Sequence, residues 1–278
     1  MTSAGTAPIN PDAEPEIGQA PGQSGRSAGS ADSLGARLRQ RWRGLIVRPL
    51  VLIAVLVVLY LAVSNAQLDS VEQQALSPSV ILTQLGQHVV LSVVSTALIV
   101  VIAVPLGIVM TRPGARWSRP IALGLGNLGQ AIPSIGLVVL LAIWLGIGFN
   151  TAVIALVVYS VLPVLHNTIV GLEQVDKSVV ESARGMGMSK RAVLWRIEMP
   201  LSVPVILAGV RTALVLTVAS AVLATFINGG GLGDGISTGL SLSRPIVTIT
   251  YGTLVAVLAL LADWIGLVVE EALRPRGV

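Results

Sequence analysis

Long apolar runs separated by short polar stretches make up most of this chain, and the runs define its elements. Six are evident, at residues 45–64, 88–110, 120–148, 151–172, 202–227 and 245–269. Each is long enough to supply the ~20 residues that a helix needs to cross a ~30 Å hydrocarbon layer. The third run is interrupted at Pro133, which predicts a kinked or tilted helix in place of a straight one. The polar stretches differ in kind. Residues 65–87 contain Asp69 and Glu72 but no Lys or Arg, Phe149 and Asn150 leave room for only a very short turn, and 228–235 form a glycine-rich loop extending towards Arg244.

Composition agrees with the pattern. The 278 residues are 53% apolar and 12% charged, with a mean hydropathy of +0.82, far from the balance of a soluble domain. The charges then set an orientation. Of the eighteen Lys and Arg residues, Arg244 alone falls in an outer loop and Arg211 within a helix, and the other sixteen map to one side. That bias predicts cytosolic N- and C-termini, and it accounts for an isoelectric point near 10.1 without any nucleic acid partner. The chain has no cysteine, which excludes disulfides, cysteine-ligated zinc and thiol catalysis.

The predicted organisation starts with a disordered, basic cytosolic tail at 1–44, rich in Ala, Gly, Ser and Pro. A first transmembrane helix (45–64), an outer loop (65–87), a five-helix core (88–270) and a cytosolic tail (271–278) follow. The arginines before the first run, Arg37 to Arg48, and the Ser64-Asn65-Ala66 tripeptide loosely resemble a secretory signal, but the long region ahead of them argues for a retained helix.

Within the core, residues 176–200 are too charged for lipid, with five of the chain's Lys and Arg. They predict two short helices joined by a glycine turn. Ser178 and Glu181 have the spacing of a capping box for the first, Gly185 and Gly187 end it, Ser189 caps the second, and Pro200 closes that one. A β-branched residue at Gly187 is expected to disturb the turn.

Little else suggests chemistry. No G-x4-G-K-[S/T] is present, so ATP is not bound by a phosphate loop here, and Gly124-x-Gly126-x-x-Gly129 lies inside a membrane run, where small residues serve helix packing. His88 and His166 have no ligand partners at metal spacing and are expected to be interfacial or packed. Arg211 and Asp263 lie ~14 Å deep by helical rise. Two arrangements fit: they face each other or a hydrated vestibule, or Arg211 snorkels while Asp263 meets water separately. Exchanging the two charges is the evident test of pairing. Asn127, Gln130 and Ser134 around Pro133, with Thr217 and Ser220 on the fifth helix, either line a translocation path or make interhelical hydrogen bonds. Aromatics are few and mostly near predicted interfaces, so no aromatic cage for a cation is expected.

Several segments carry a family resemblance. Glu181-Ser182-Ala183, Gly187, Ile197, Met199 and Pro200 are similar to the E-A-A-x3-G-x9-I-x-L-P loop of ABC-importer membrane subunits, with Ser182 and Met199 as mild departures. Residues 130–137 (QAIPSIGL) and 159–168 (YSVLPVLHNT) resemble segments of glycine betaine, choline and carnitine importer permeases, although His166 stands where those have Arg. Gly209 to Ala213 (GVRTA) and Gly230-Gly231-Leu232-Gly233-Asp234 match further segments of that group.

The resemblance implies an all-α membrane protein with six transmembrane helices, both termini inside, and a type I ABC importer permease (MetI-like) core with cytosolic coupling helices. Glu181, Ser182, Ala183, Gly187, Ile197 and Pro200 would couple to the ATPase, and Gly230 to Asp234 would dock the receptor. The implied partners are two ATPase subunits holding ATP and magnesium, a second identical or related permease, an extracytoplasmic binding protein and the bilayer of a bacterial cell membrane. The chain ends eight residues after Glu270, so a separate receptor is expected. The implied function is osmoprotectant import (glycine betaine, choline, carnitine or proline betaine) without enzymatic activity in this chain. Import of methionine or another amino-acid-like solute is the alternative. A secondary transporter working alone is a weaker fit, because no inverted repeat and only one deep carboxylate are visible.

Overall fold

The computed structural model describes residues 46–273, and these are helical throughout apart from turns. The expectations for the two tails, including Arg37 to Arg43, lie outside the described residues. In order, the elements are α1 (Ile46–Ser64), then α2 (Ser70–Ala75), α3 (Pro78–Thr111), α4 (Arg119–Ala131), α5 (Ser134–Leu145), α6 (Phe149–Glu173), α7 (Lys177–Gly185), α8 (Lys190–Val193), α9 (Met199–Ser220), α10 (Gly233–Ser241) and α11 (Pro245–Ala272). Five helical stretches are long and apolar enough to cross a membrane, and α4 with α5 makes a sixth if that bent pair counts as one.

That pair is where the kink at Pro133 becomes a break. Pro133 restricts Ile132, which adopts an extended ψ of 130°. The axes of α4 and α5 then diverge by 101°. The second run also starts earlier than its hydropathy suggests. Ser77 and Pro78 open α3 ten residues ahead of His88, and the expected outer loop contains the short helix α2, capped by Asp69, whose side chain accepts from the Glu72 N–H while Glu72 bonds back.

Helix α6 is the centre of the core, packed between α3 and α9. Glycines allow the approach: a Cβ at Gly107 of α3 would lie 2.7 Å from Thr168 of α6, and one at Gly209 of α9 would lie 2.7 Å from Asn167 and 2.8 Å from the Pro163 carbonyl. Ile99, Ala103, Val164, Leu165, Ile169 and Ala213 fill the space between these three helices. At the opposite end from the charged elbow formed by residues 176–200, Leu76, Leu232, Val247, Tyr251 and Val255 bring α2, α10 and α11 together. Tyr251 donates its hydroxyl to the Ala75 carbonyl at 2.9 Å, and Arg244 meets Asp69 at 2.6 Å. Helix α1 is apolar and almost wholly exposed, as a lipid-facing helix should be.

Candidate functional site

The elbow, residues 176–200, differs in construction from its prediction at three points. Its first helix is capped by Asp176, whose carboxylate accepts the Ser178 N–H at 2.8 Å, and not by a Ser178–Glu181 box. Hydrogen bonds from Ser178 hold the Asp176 carboxyl below its usual range, so the cap is present at neutral pH and weakens as pH falls through that lowered value. Glu181 is left exposed and Ala183 is buried. The helix ends in a Schellman turn: Met188 N–H reaches Ala183 O, Gly187 N–H reaches Arg184 O, and Gly187 has φ +88°. Gly185 has ordinary helical geometry and does not share the turn's role.

Ser189 caps α8 as expected, accepting the Ala192 N–H at 3.3 Å. Pro200, however, does not close this helix. The chain continues without a break from Lys190 to Ile227, because the five residues Leu194–Glu198 widen into a π-turn in which the Met199 N–H reaches back to the Leu194 carbonyl. A proline ring clashes with the carbonyl four residues before it, and the widened turn makes room. The elbow's second arm is therefore the beginning of α9. Ile197 is partly buried along it, while Met186 and Trp195 stand exposed with Glu181 and Ser182. One ion pair braces the elbow, Arg112 at the end of α3 holding Glu198 at 2.5 Å, and beside it Arg119 at the start of α4 ties to Glu173 at the end of α6 at 2.6 Å.

Arg211 and Asp263 are brought together, with Nε and Oδ1 3.1 Å apart. They belong to a larger set. Arg211 Nη1 also meets Glu270 at 3.2 Å, and Arg48 of α1 meets the other oxygen of Asp263 at 2.9 Å. Asp263 and Glu270 are seven residues apart on one face of α11, and Gly266 between them leaves room for the arginine, since a Cβ there would lie 2.6 Å from Arg211 Cγ. Sequence reasoning missed Arg48 and Glu270 because both sit near helix ends, where single charges are unremarkable.

The glycine loop at the far end is a packed element. Gly231, Leu232 and Gly233 are buried, whereas Gly230 and Asp234 are partly exposed and with Asn228 line an outer pocket. Gly233 has no room for a side chain beside the Val222 carbonyl. Two α3 residues hold the loop. Gln87 accepts the Gly231 N–H at 3.1 Å, and His88, fully buried, accepts the Leu232 N–H on Nδ1 at 3.2 Å while donating from Nε2 to the Val218 carbonyl at 2.9 Å. The two bonds fix the ring as the Nε2–H tautomer. His88→Ala is expected to orphan both backbone groups, each worth ~1–3 kcal/mol when buried and unpaired. A clear drop in the melting temperature of the purified permease checks this; an unchanged value would show that the clasp contributes nothing.

The proposed path residues do not form one surface. Thr217 is fully buried and gives its hydroxyl to the Ala213 carbonyl of its own helix, so it is a packing residue. Gln130 donates to the Tyr159 carbonyl at 3.4 Å, an interhelical bond. Ser134 and Ser220 are partly buried and Asn127 is exposed. Asn127 shares its surroundings with two residues that were not among the candidate path residues: with His166 and Asn167 of α6 it lines a cavity of about 460 Å³ between α4 and α6.

With this geometry in hand, comparison with known proteins is informative. Residues 103–275 match the family model described as binding-protein-dependent transport system inner membrane component. The chain is 37% identical to the glycine betaine/carnitine/choline transport system permease protein OpuCB of Bacillus subtilis, over 71% of this chain and 90% of that one. It is 39% identical to the choline transport system permease protein OpuBB of the same organism, over 69% and 88%, and 34% identical to the osmoprotectant import permease protein OsmW of Salmonella typhimurium, over 69% and 91%. The fold resembles a chain in inward-facing structures of the MetNI methionine ABC transporter, with a TM-score of 0.61 and 21% identity over 70% of this chain and 96% of that one. By sequence and by fold, the chain belongs to the family of binding-protein-dependent transport system inner membrane components.

Proposed function

We propose that this chain is the permease subunit of an ATP-driven importer for osmoprotectants of the betaine and choline class, with both termini in the cytosol. The observation that carries the mechanism is the unbroken helix from the elbow into α9. A separate ATPase pair, holding ATP and magnesium, engages the exposed elbow surface around Glu181, Ser182, Met186 and Trp195. Closure of that pair displaces the second arm, and because the arm is α9 itself, the displacement reaches the α6–α9 contact at Gly209 without a hinge. ATP thereby favours one packed arrangement of the core over another, which is the differential interaction that switching requires. A second permease copy completes the path. A loaded extracytoplasmic receptor docks at the opposite end, over the surface that includes Asn228, Gly230 and Asp234. The substrate class is supported by the names of the relatives, several of which are glycine betaine, carnitine or choline permeases.

The test is uptake of labelled glycine betaine by cells lacking other betaine importers and expressing this permease with its ATPase and receptor. Glu181→Lys, on an exposed residue, is expected to abolish uptake while the protein still reaches the membrane. Uptake by the permease alone would overturn the ATP-driven reading. An assembled, ATP-hydrolysing complex that ignores betaines and carries methionine would move the chain to the amino-acid class.

A further inference from the structure

The cavity between α4 and α6 places Asn127, His166 and Asn167 together, walled by Leu123, Leu162 and Pro163. Its three polar residues lie about two helical turns from the elbow ends of α4 and α6, at Arg119 and Glu173, and therefore inside the membrane layer rather than at its surface. Asn127 and His166 are exposed and Asn167 is partly so. None of the three side chains has a hydrogen-bond or ion-pair partner among the described residues. Unpaired amides and an imidazole at this depth are expensive against lipid, so such groups face a hydrated cavity or another polar partner. The concave shape and the volume of about 460 Å³ fall in the ~300–1,000 Å³ range of small-molecule sites.

The lining also limits the ligand. It contains no carboxylate and no Phe, Tyr or Trp, and the acids at the elbow ends of these helices are committed, Glu173 to Arg119 and Glu198 to Arg112. A quaternary ammonium has no N–H to donate and is recognised by aromatic faces or anions. The cavity offers neither. What it does offer is two amide NH2 groups and an imidazole N–H, which suit a carboxylate.

We propose that Asn127, His166 and Asn167 form a subsite in the translocation path that receives the carboxylate of a zwitterionic betaine, leaving its ammonium end to the rest of the path; this rests on the osmoprotectant reading above. The subsite is tied to the elbow. Asn167 and the Pro163 carbonyl lie against Gly209 of α9, so motion of that helix bears directly on the residues that hold the solute.

The experiment uses the reconstituted complex of permease, ATPase and receptor in proteoliposomes, with His166→Leu, His166→Arg and His166→Glu. Choline, which shares the trimethylammonium group but has no carboxylate, is the control solute. Loss of a hydrogen bond to a charged group corresponds to roughly tenfold or more. Leu and Glu are therefore expected to lower the maximal rate of glycine betaine uptake by at least that factor, with choline uptake and complex assembly unchanged and Arg retaining betaine transport. Normal betaine uptake by the Leu variant would overturn the proposal, as would equal losses for both solutes, or a loss of assembly that marks the cavity as a contact with the second permease. Should the wild type carry betaine but not choline, the opposite behaviour of Arg and Glu decides the matter. A wild type that carries neither solute sinks the osmoprotectant reading and this subsite with it.

Discussion

Arg211→Met is expected to destabilise the permease more than any other single loss of charge. Its guanidinium serves both Asp263 and Glu270, and among the described residues removing it leaves Glu270 without a cation and Asp263 with Arg48 alone. These side chains are about 29% exposed. The cost should therefore fall between the ~1 kcal/mol of an exposed pair and the ~3–5 kcal/mol of stripping one partner from a buried pair. Arg48→Met should cost less, because Asp263 keeps Arg211. Melting temperatures of the two purified variants check the order, and equal losses would contradict the unequal sharing.

The same geometry changes how a charge exchange must be interpreted. Swapping Arg211 and Asp263 places an aspartate beside Glu270 and an arginine beside Arg48, two new like-charge contacts. The double exchange is expected to stay inactive although the native pair exists, so failed rescue says nothing against pairing. A double-mutant cycle of Arg211→Met with Glu270→Gln isolates one contact without creating another.

Gly187 should give the largest functional effect for the smallest structural change. A Cβ at this position meets nothing within 4 Å. The φ of +88° is then the sole obstacle to a side chain. Asn, which tolerates left-handed backbone, should be mild, Ala worse and Val worst, with a penalty of roughly 1–2 kcal/mol or more for the bulky residue. Since the turn sets the angle between the two elbow arms, Val should leave ATP hydrolysis running while uptake falls, measured as the ratio of the two rates in proteoliposomes. An Asn variant as uncoupled as Val would show that something other than backbone conformation matters there.

How far the sequence reached depended on whether the deciding contact was local. The Gly187 turn and the Ser189 cap were legible because each is settled within a few residues. Asp176 was missed as the cap because Asp-x-Ser and Ser-x-x-Glu are both valid signatures, and only the observed path of the chain chooses between them. Pro200 looked like a stop because proline removes a hydrogen bond, but a widened turn absorbs that loss and keeps the helix continuous. Pro133 announced a bend, whereas its 101° reflects how α5 packs on α6 through residues such as Val138, Ala152 and Leu156. The glycine loop was assigned to docking from its family resemblance, which does not say which of its residues are exposed. Its burial is imposed by Gln87 and His88, 144 residues earlier, which no local pattern records. Asn127 was noticed as a polar residue near Pro133, whereas His166 was discounted because its polar neighbours appear only when α4 and α6 are set side by side.

The π-turn at Leu194–Glu198 has one more consequence. An α-helix advances about 100° per residue, so one surplus residue in a turn re-indexes everything ahead of it around the axis. The outward face of α8 and the face that α9 presents to α6 are thus set in phase by a single local irregularity. Trimming that irregularity would leave the reach of the arm almost unchanged and turn its contact surface a quarter of the way round. Under the proposed coupling, lengthening or shortening the arm by one residue is a rotation before it is a displacement.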